Sequence, residues 1–240
     1  MKTMAFASRT AKEIVRDPLS VGFGLGFPIV LLLLMSAIQA NIPVELFVPE
    51  MLTPGVAVFG MAFLTLFSAT LLAKDRSSAL LRRLYTTPLT GADCIFGYTL
   101  PLLVIAVIQD MICYGVGGLL GLPLTGNVFA AMLLNLPAEV FFIALGLLCG
   151  SVLNEKQVGG LCGALLTNLT GWLSGTWFDL LLLGSTVNKI AGLLPFVHAV
   201  ELQRGILDGQ LRMDDLLWVA AYAAVTLGCA IPLFLRAERN

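Results

Sequence analysis

The sequence predicts an all-α membrane protein: six transmembrane helices, an N-terminal amphipathic interface helix, a short helix in one cytoplasmic loop, and an outer segment that either loops or re-enters the membrane. Three observations predict it. Of 240 residues, 58% are hydrophobic and only 12% charged, about half the charged fraction of an ordinary soluble domain. Six stretches each approach the ~20 apolar residues that carry a helix across roughly 30 Å of hydrocarbon. Eleven of the fourteen Lys and Arg residues fall in alternate segments outside those stretches.

The first eighteen residues precede any span. Met4, Ala7, Ala11, Ile14 and Val15 recur at spacings of three and four, while Lys12, Glu13 and Arg16 fall mostly elsewhere. This pattern predicts an amphipathic helix lying along the membrane surface, ended by Asp17-Pro18; a frayed, solvated tail is the other reading. The spans follow at about 21–40, 51–73, 97–120, 128–153, 158–178 and 216–235. They are read as helices because backbone polar groups in lipid must pair within their own segment, and they are too long and evenly apolar for barrel strands. The run 21–40 is long for a cleavable leader, and bulky Ile38 stands where cleavage prefers a small residue, so it is read as a retained span. Pro28, Pro101, Pro137 and Pro232 are expected to kink their spans.

Orientation follows from the basic residues. Lys2, Arg9, Lys12 and Arg16 precede the first span; Lys74, Arg76, Arg82 and Arg83 lie in loop 74–96; Lys156 lies in the fourth spacer; Arg236 and Arg239 lie in the tail. The first and third spacers have none, and in 179–215 acids outnumber bases. Both termini are therefore expected in the cytoplasm. With net charge −1, no nucleic-acid partner is expected.

Loop 74–96 is the most informative segment. Asp75, Ser77 or Ser78 can cap a short helix, Leu80, Leu81, Leu84 and Tyr85 share one face, and Pro88 ends it. Basic residues alone would be explained by topology and anionic lipid; the added apolar stripe suggests docking of another protein. Two acids interrupt spans, Asp110 and Glu139. A carboxylate there costs about 3 kcal/mol on insertion scales, so each is expected either to line a polar path or to hydrogen-bond to a neighbouring helix. Gly146 and Gly150, Gly159 and Gly163, and Gly171 and Gly175 are each four apart, a spacing for close helix approach within the chain or between subunits. In the outer segment 179–215, the runs 180–183 and 190–200 are too short to span and suit a hairpin or an ordinary loop.

Catalytic chemistry is not spelled out. None of the five lysines sits in GxxxxGK[ST], so no ATP-binding P-loop occurs. HExxH and GxSxG are absent, His198 has no second histidine, and the five cysteines form no CxxC pair; the cysteines read as small apolar residues. No metal site and no bound cofactor are expected.

These pieces, in order, resemble the permease subunits of ABC-2 type transporters over nearly the whole chain. The resemblance rests on Arg16-Asp17-Pro18-Leu19 before Phe27-Pro28, and on Thr53-Pro54-Gly55 with Phe59-Gly60. It continues through Lys74-Asp75-Arg76, Leu81-Arg82-Arg83-Leu84, Thr87-Pro88-Leu89 and Gly97-Tyr98. Leu145-Gly146-Leu147-Leu148, Ser174-Gly175-Thr176-Trp177-Phe178 and Leu194-Pro195-Phe196-Val197-His198-Ala199 complete it. One departure is Asp179, where family members often have proline after the aromatic pair.

The resemblance implies a cytoplasmic coupling helix within 75–88, with Asp75, Arg76, Leu81, Arg82, Arg83 and Leu84 contacting a separate P-loop ATPase subunit and 154–157 as a smaller second contact. It implies ATP and Mg on that partner only, a second permease copy or paralogue, and a bacterial or archaeal cell membrane. The activity implied is ATP-driven export, and the apolar spans suit a hydrophobic or amphipathic cargo such as a drug, lipid or natural product. Rival readings are a gradient-driven carrier, which would show inverted repeats, and a membrane-embedded transferase, which would gather acids or histidines at one membrane face.

Overall fold

In a computed structural model, which describes residues 2–78 and 90–237, the chain is helical, with no strand among those residues. Helix α1 is Lys2–Val15 and α2 is Pro18–Gln39; Pro18 opens α2, where a missing N–H costs nothing. Helix α3 is Pro49–Ser77, α4 Gly91–Leu119, α5 Gly126–Leu134 and α6 Leu136–Val152. A single turn, α7 (Glu155–Val158), passes into a π-helical stretch Gly159–Leu166 and then α8, Thr167–Leu173. Helices α9 (Ser185–Ala191), α10 (Pro195–Leu207) and α11 (Met213–Ala237) complete the described chain.

Five stretches are long and apolar enough to cross a membrane: Val21–Gln39, Pro49–Ser77, Gly91–Leu119, Gly126–Val152 and Met213–Leu235. They match five of the six predicted spans. The predicted span 158–178 differs: its helix starts at Glu155, is π-helical through a Gly-rich stretch, and stops at Leu173. The chain then turns through Gly175, whose φ of 72° suits a residue without a Cβ. Within 179–215, α9 and α10 form a pair bent by 83° at a short break, which together are also long and apolar enough to cross. The predicted loop 74–96 is shorter than expected. Lys74, Asp75 and Arg76 belong to the last turn of α3, so Ser78 caps the end of that helix instead of starting a new one. Helix α4 starts early because Thr90 and Asp93 form a reciprocal capping box. Of the four predicted kink sites, Pro137 coincides with a break, at Asn135 between α5 and α6; Pro28, Pro101 and Pro232 sit inside continuous helices.

Helix α3 is the centre of the bundle, with 83% of its span buried, against 11% for α2 and 22% for α11. Helix α6 packs between α3 and α11. Val58, Met61, Leu64, Phe142, Leu147 and Phe234 lie in the larger apolar core. Polar bonds pin α3 to α6: Thr65 Oγ1 donates to the Phe142 carbonyl at 2.8 Å and Ser68 Oγ to the Ile143 carbonyl at 3.3 Å. Gly146 and Gly150 of α6 lie against the α3 backbone, which assigns that pair to packing within the chain. At Gly159 the position of an added Cβ is open.

Candidate functional site

The end of the bundle that carries α1 gathers three pieces of sequence. The buried face of α1 is Phe6, Ala7, Thr10 and Ile14, while Met4 and Val15 are exposed. The predicted apolar stripe is therefore rotated, because α1 docks on protein. Phe6 meets the Tyr98 ring of α4 edge-on at 4.9 Å, and Thr3 Oγ1 donates to Asp93 Oδ1 at 2.6 Å.

At the centre of this contact is Asp75. Arg9 donates to both its oxygens, at 2.8 and 3.1 Å, in a two-pronged pairing. The buried Tyr98 hydroxyl adds a third bond at 2.6 Å. Asp75 is buried by these partners, so its carboxylate faces α1 and α4 instead of the outer surface expected of a partner contact. Arg76 is also turned into the chain: its Nη1 donates to the Gly150 and Leu153 carbonyls at 2.8 and 3.3 Å. Those carbonyls end α6 and favour a cation. Ser77 Oγ donates to Glu155 Oε1 at 3.0 Å, and Asn154 with Gln157 caps the next turn. The end of α3 and segment 154–157, predicted as two separate contacts, therefore emerge side by side. Leu81, Arg82, Arg83 and Leu84 lie outside the described residues, as do Leu80, Tyr85 and Pro88.

Glu13 also pairs with Arg9. Burial first, then the neighbouring Asp75 charge, lifts the Glu13 carboxyl above its ordinary range, with Arg9 opposing. A raised carboxyl stabilises the docked state fully below its unfolded pKa and loses that contribution as pH rises through the folded value. Helix α1 is thus expected to dock more firmly in mildly acidic solution, and Glu13→Gln to flatten the dependence. Rates of proteolysis within α1 across pH measure this; parallel wild-type and variant profiles would contradict it.

A second constellation lies inside the bundle. Asp110 of α4, Asn135 at the α5–α6 break and Glu139 in the first turn of α6 are all buried. Asn135 Nδ2 donates to Asp110 Oδ2 at 2.6 Å, while Asp110 Oδ1 and both Glu139 oxygens are buried without a hydrogen-bond partner, and the two carboxyls are close enough to interact. Read from sequence, these acids stand alone; the fold brings them together. The break makes this possible by turning Asn135 and Glu139, one turn apart, toward α4. Nearby, Tyr114 donates to Gln203 Oε1 of α10 at 2.9 Å.

At the opposite end, Arg204 of α10 ties three segments. It donates to the Met51 carbonyl at 3.0 and 3.2 Å, to the Gly175 carbonyl at 3.0 Å and to Glu201 at 3.4 Å. Beside it is a cleft of about 570 Å³ lined by Trp177, Phe178, Asp179, Glu201 and Arg204 among others. Trp177 continues into an aromatic row with Phe59, Phe63 and Phe27 at centroid separations of 4.9–5.8 Å. His198 is held in place by Asp215 at 2.6 Å, the Gly192 carbonyl at 2.9 Å and a stacked Trp218. Among the described residues no group of three His, Cys, Asp or Glu side chains could hold a metal. Cys94, Cys113 and Cys162 are buried, Cys149 half-buried and Cys229 exposed.

Five apolar stretches long enough to span, with α3 buried at their centre, define a multi-pass membrane protein. The chain belongs to the ABC-2 type transporter family, whose model matches residues 1–207. That makes it a permease of the ABC transporter class, a family that carries no ATPase site of its own. No curated protein matches it in sequence.

Proposed function

We propose that this chain is the permease half of an ATP-driven exporter, that its basic end faces the cytoplasm, and that a P-loop ATPase subunit docks there on 79–89 and 154–157. The observation that carries this reading is the convergence of α1, the end of α3 and Asn154–Gln157 through Arg9–Asp75–Tyr98, Arg76–Gly150 and Ser77–Glu155. A push on the segment that follows Ser78 is delivered to α3, the buried centre of the bundle, and through Asp75 to α1 and α4. ATP and Mg act on the partner; this chain supplies an element with two packings whose populations the partner biases.

A permease of this size is expected to need a second copy to enclose a path. Leu161, Leu165, Asn168, Leu169 and Trp172 are exposed along the π-helical stretch and α8, and Asn168 has only its own helix to bond, at the Ala164 carbonyl. This face, with the half-buried Phe63, Leu66 and Thr70 of α3, suits a second permease copy or paralogue. The aromatic row from Trp177 to Phe27 beside it favours a hydrophobic or amphipathic cargo. The family match favours the permease over the carrier reading, and among the described residues no group of three acids, histidines or cysteines could hold a metal, which leaves the transferase reading less support.

Reversing charge at Arg82 and Arg83 (R82E/R83E) is expected to lower transport-coupled ATPase activity of the reconstituted complex at least tenfold while the permease still inserts and folds. Full coupled activity in that variant would overturn the docking assignment.

A further inference from the structure

We propose that Asp110, Asn135 and Glu139 form a proton-binding site within the bundle, the proton being shared between the two carboxyl groups. Asp110 Oδ1 and both Glu139 oxygens are buried and find no donor among the described side chains. The two carboxyls interact with each other, and two carboxylates have no hydrogen to offer. A hydrogen bond between them therefore requires a proton on one. Asn135 makes an independent statement: it donates one amide hydrogen to Asp110, and its Oδ1 is also buried without a partner. Buried carboxyl oxygens without donors, beside the break at Asn135, call for a proton or a positive charge.

No neighbouring base supplies that charge. The ion pairs among the described residues are Arg9 with Asp75 and Glu13, His198 with Asp215, and Glu201 with Arg204 and Arg212, none of which involves this cluster. Helices α3 and α11, which flank α6, carry their described charges at their ends: Glu50, Lys74, Asp75 and Arg76, and Asp214 and Asp215. The titratable groups facing Asp110 are Cys113 and Tyr114 on its own helix. Two carboxyls and one amide suit a proton better than a metal ion, which needs several oxygens around it.

The role of the proton rests on the permease reading. With α4 and α6 packed as observed, the pair holds the proton. When those helices part and water enters, the carboxyl O–H breaks, the proton passes to water, and two hydrated carboxylates remain; repacking takes the proton back. The change of packing is then linked to proton uptake and release.

Infrared spectroscopy of the purified chain in lipid nanodiscs tests the site without reference to transport. At neutral pH, wild type is expected to show a protonated-carboxyl C=O band that exchanges slowly in deuterium oxide, and Asp110→Asn and Glu139→Gln each to remove or shift it. Absence of any slowly exchanging protonated carboxyl in folded wild type would overturn the proposal, whether or not the variants fold. So would a band that both variants retain, or one that sodium ions abolish at constant pH. A normal infrared result combined with failure of the ATPase to dock would leave the site standing and remove only its proposed role in transport.

Discussion

Asp75→Ala is expected to destabilise the permease by about 2–4 kcal/mol, among the largest effects available to a single side chain outside the bundle core. The substitution removes a two-pronged partner from Arg9 and the only acceptor of the buried Tyr98 hydroxyl among described side chains. A buried hydroxyl without a partner costs about 1–3 kcal/mol. The Arg9 side chain is 35% exposed and regains water, which keeps its share small. Helix α1 then loses its strongest tie to α3, leaving Phe6–Tyr98 and Thr3–Asp93 to hold it on α4. Thermal unfolding in detergent, followed by intrinsic fluorescence, measures the loss. A double-mutant cycle with Arg9→Met separates the Arg9 share from that of Tyr98. If Asp75→Ala melts with wild type, the node carries no energy and cannot transmit a push from the segment beyond it.

Gly146→Val is expected to be as damaging, through overpacking. Even the first carbon of a side chain at 146 would fall on Ser68 Oγ and the Thr65 carbonyl oxygen, and at Gly150 it would come within 2.6 Å of the Ala69 carbonyl oxygen and 3.0 Å of Leu72 Cβ. Serine can rotate away, but backbone cannot. Helix α6 must therefore move off α3, lengthening the Thr65–Phe142 and Ser68–Ile143 bonds. Overpacking of a well-filled contact costs about 1–3 kcal/mol, and each strained bond adds about 1 kcal/mol. Gly159→Ala and Gly160→Ala provide the contrast: nothing lies within 4 Å of the added carbon, and alanine favours helix by roughly 1 kcal/mol. The expected order of melting temperatures is Gly160→Ala at or above wild type and Gly146→Val well below. Equal melting would mean that α3 and α6 are not in close contact.

Much of this architecture is legible in one dimension, because hydrocarbon imposes a local rule. A stretch of about 20 apolar residues satisfies it by itself, which is why five spans, the amphipathic first helix and the lack of a P-loop could be read directly. The helix ends were harder. Lys74, Asp75 and Arg76 read as loop because they are charged, yet they stay helical: Arg9 and Tyr98 answer the charge of Asp75, and carbonyls ending α6 that of Arg76, from up to 77 positions away. The segment 158–178 read as an ordinary span because hydropathy does not register the glycines that let its backbone widen into a π-helix and turn at Gly175. Phe6, absent from the predicted stripe of α1, is buried against Tyr98, and an aromatic on an amphipathic helix suits lipid as well as protein.

For the site, residue types were visible and their meeting was not. Asp110 and Glu139 are 29 positions apart, and nothing in their spacing says that they touch. The contact depends on the break at Asn135, which Pro137 hinted at and only packing against α4 made specific. The glycine pairs 146/150 and 159/163 carry the same spacing, and only the α3 backbone against the first distinguishes it from the second, whose Gly159 is open and whose Gly163 meets only the Leu66 side chain. What the sequence by itself determined is therefore the class: a helical membrane protein with a basic end, no nucleotide site and a family likeness, since each follows from composition or from local order along the chain. What the tertiary structure alone decided is which charges find each other. In a low-dielectric bundle an unpaired acid is expensive at any position, so sequence marks that a partner is needed, whereas the partner's identity is set by helices brought together from distant parts of the chain.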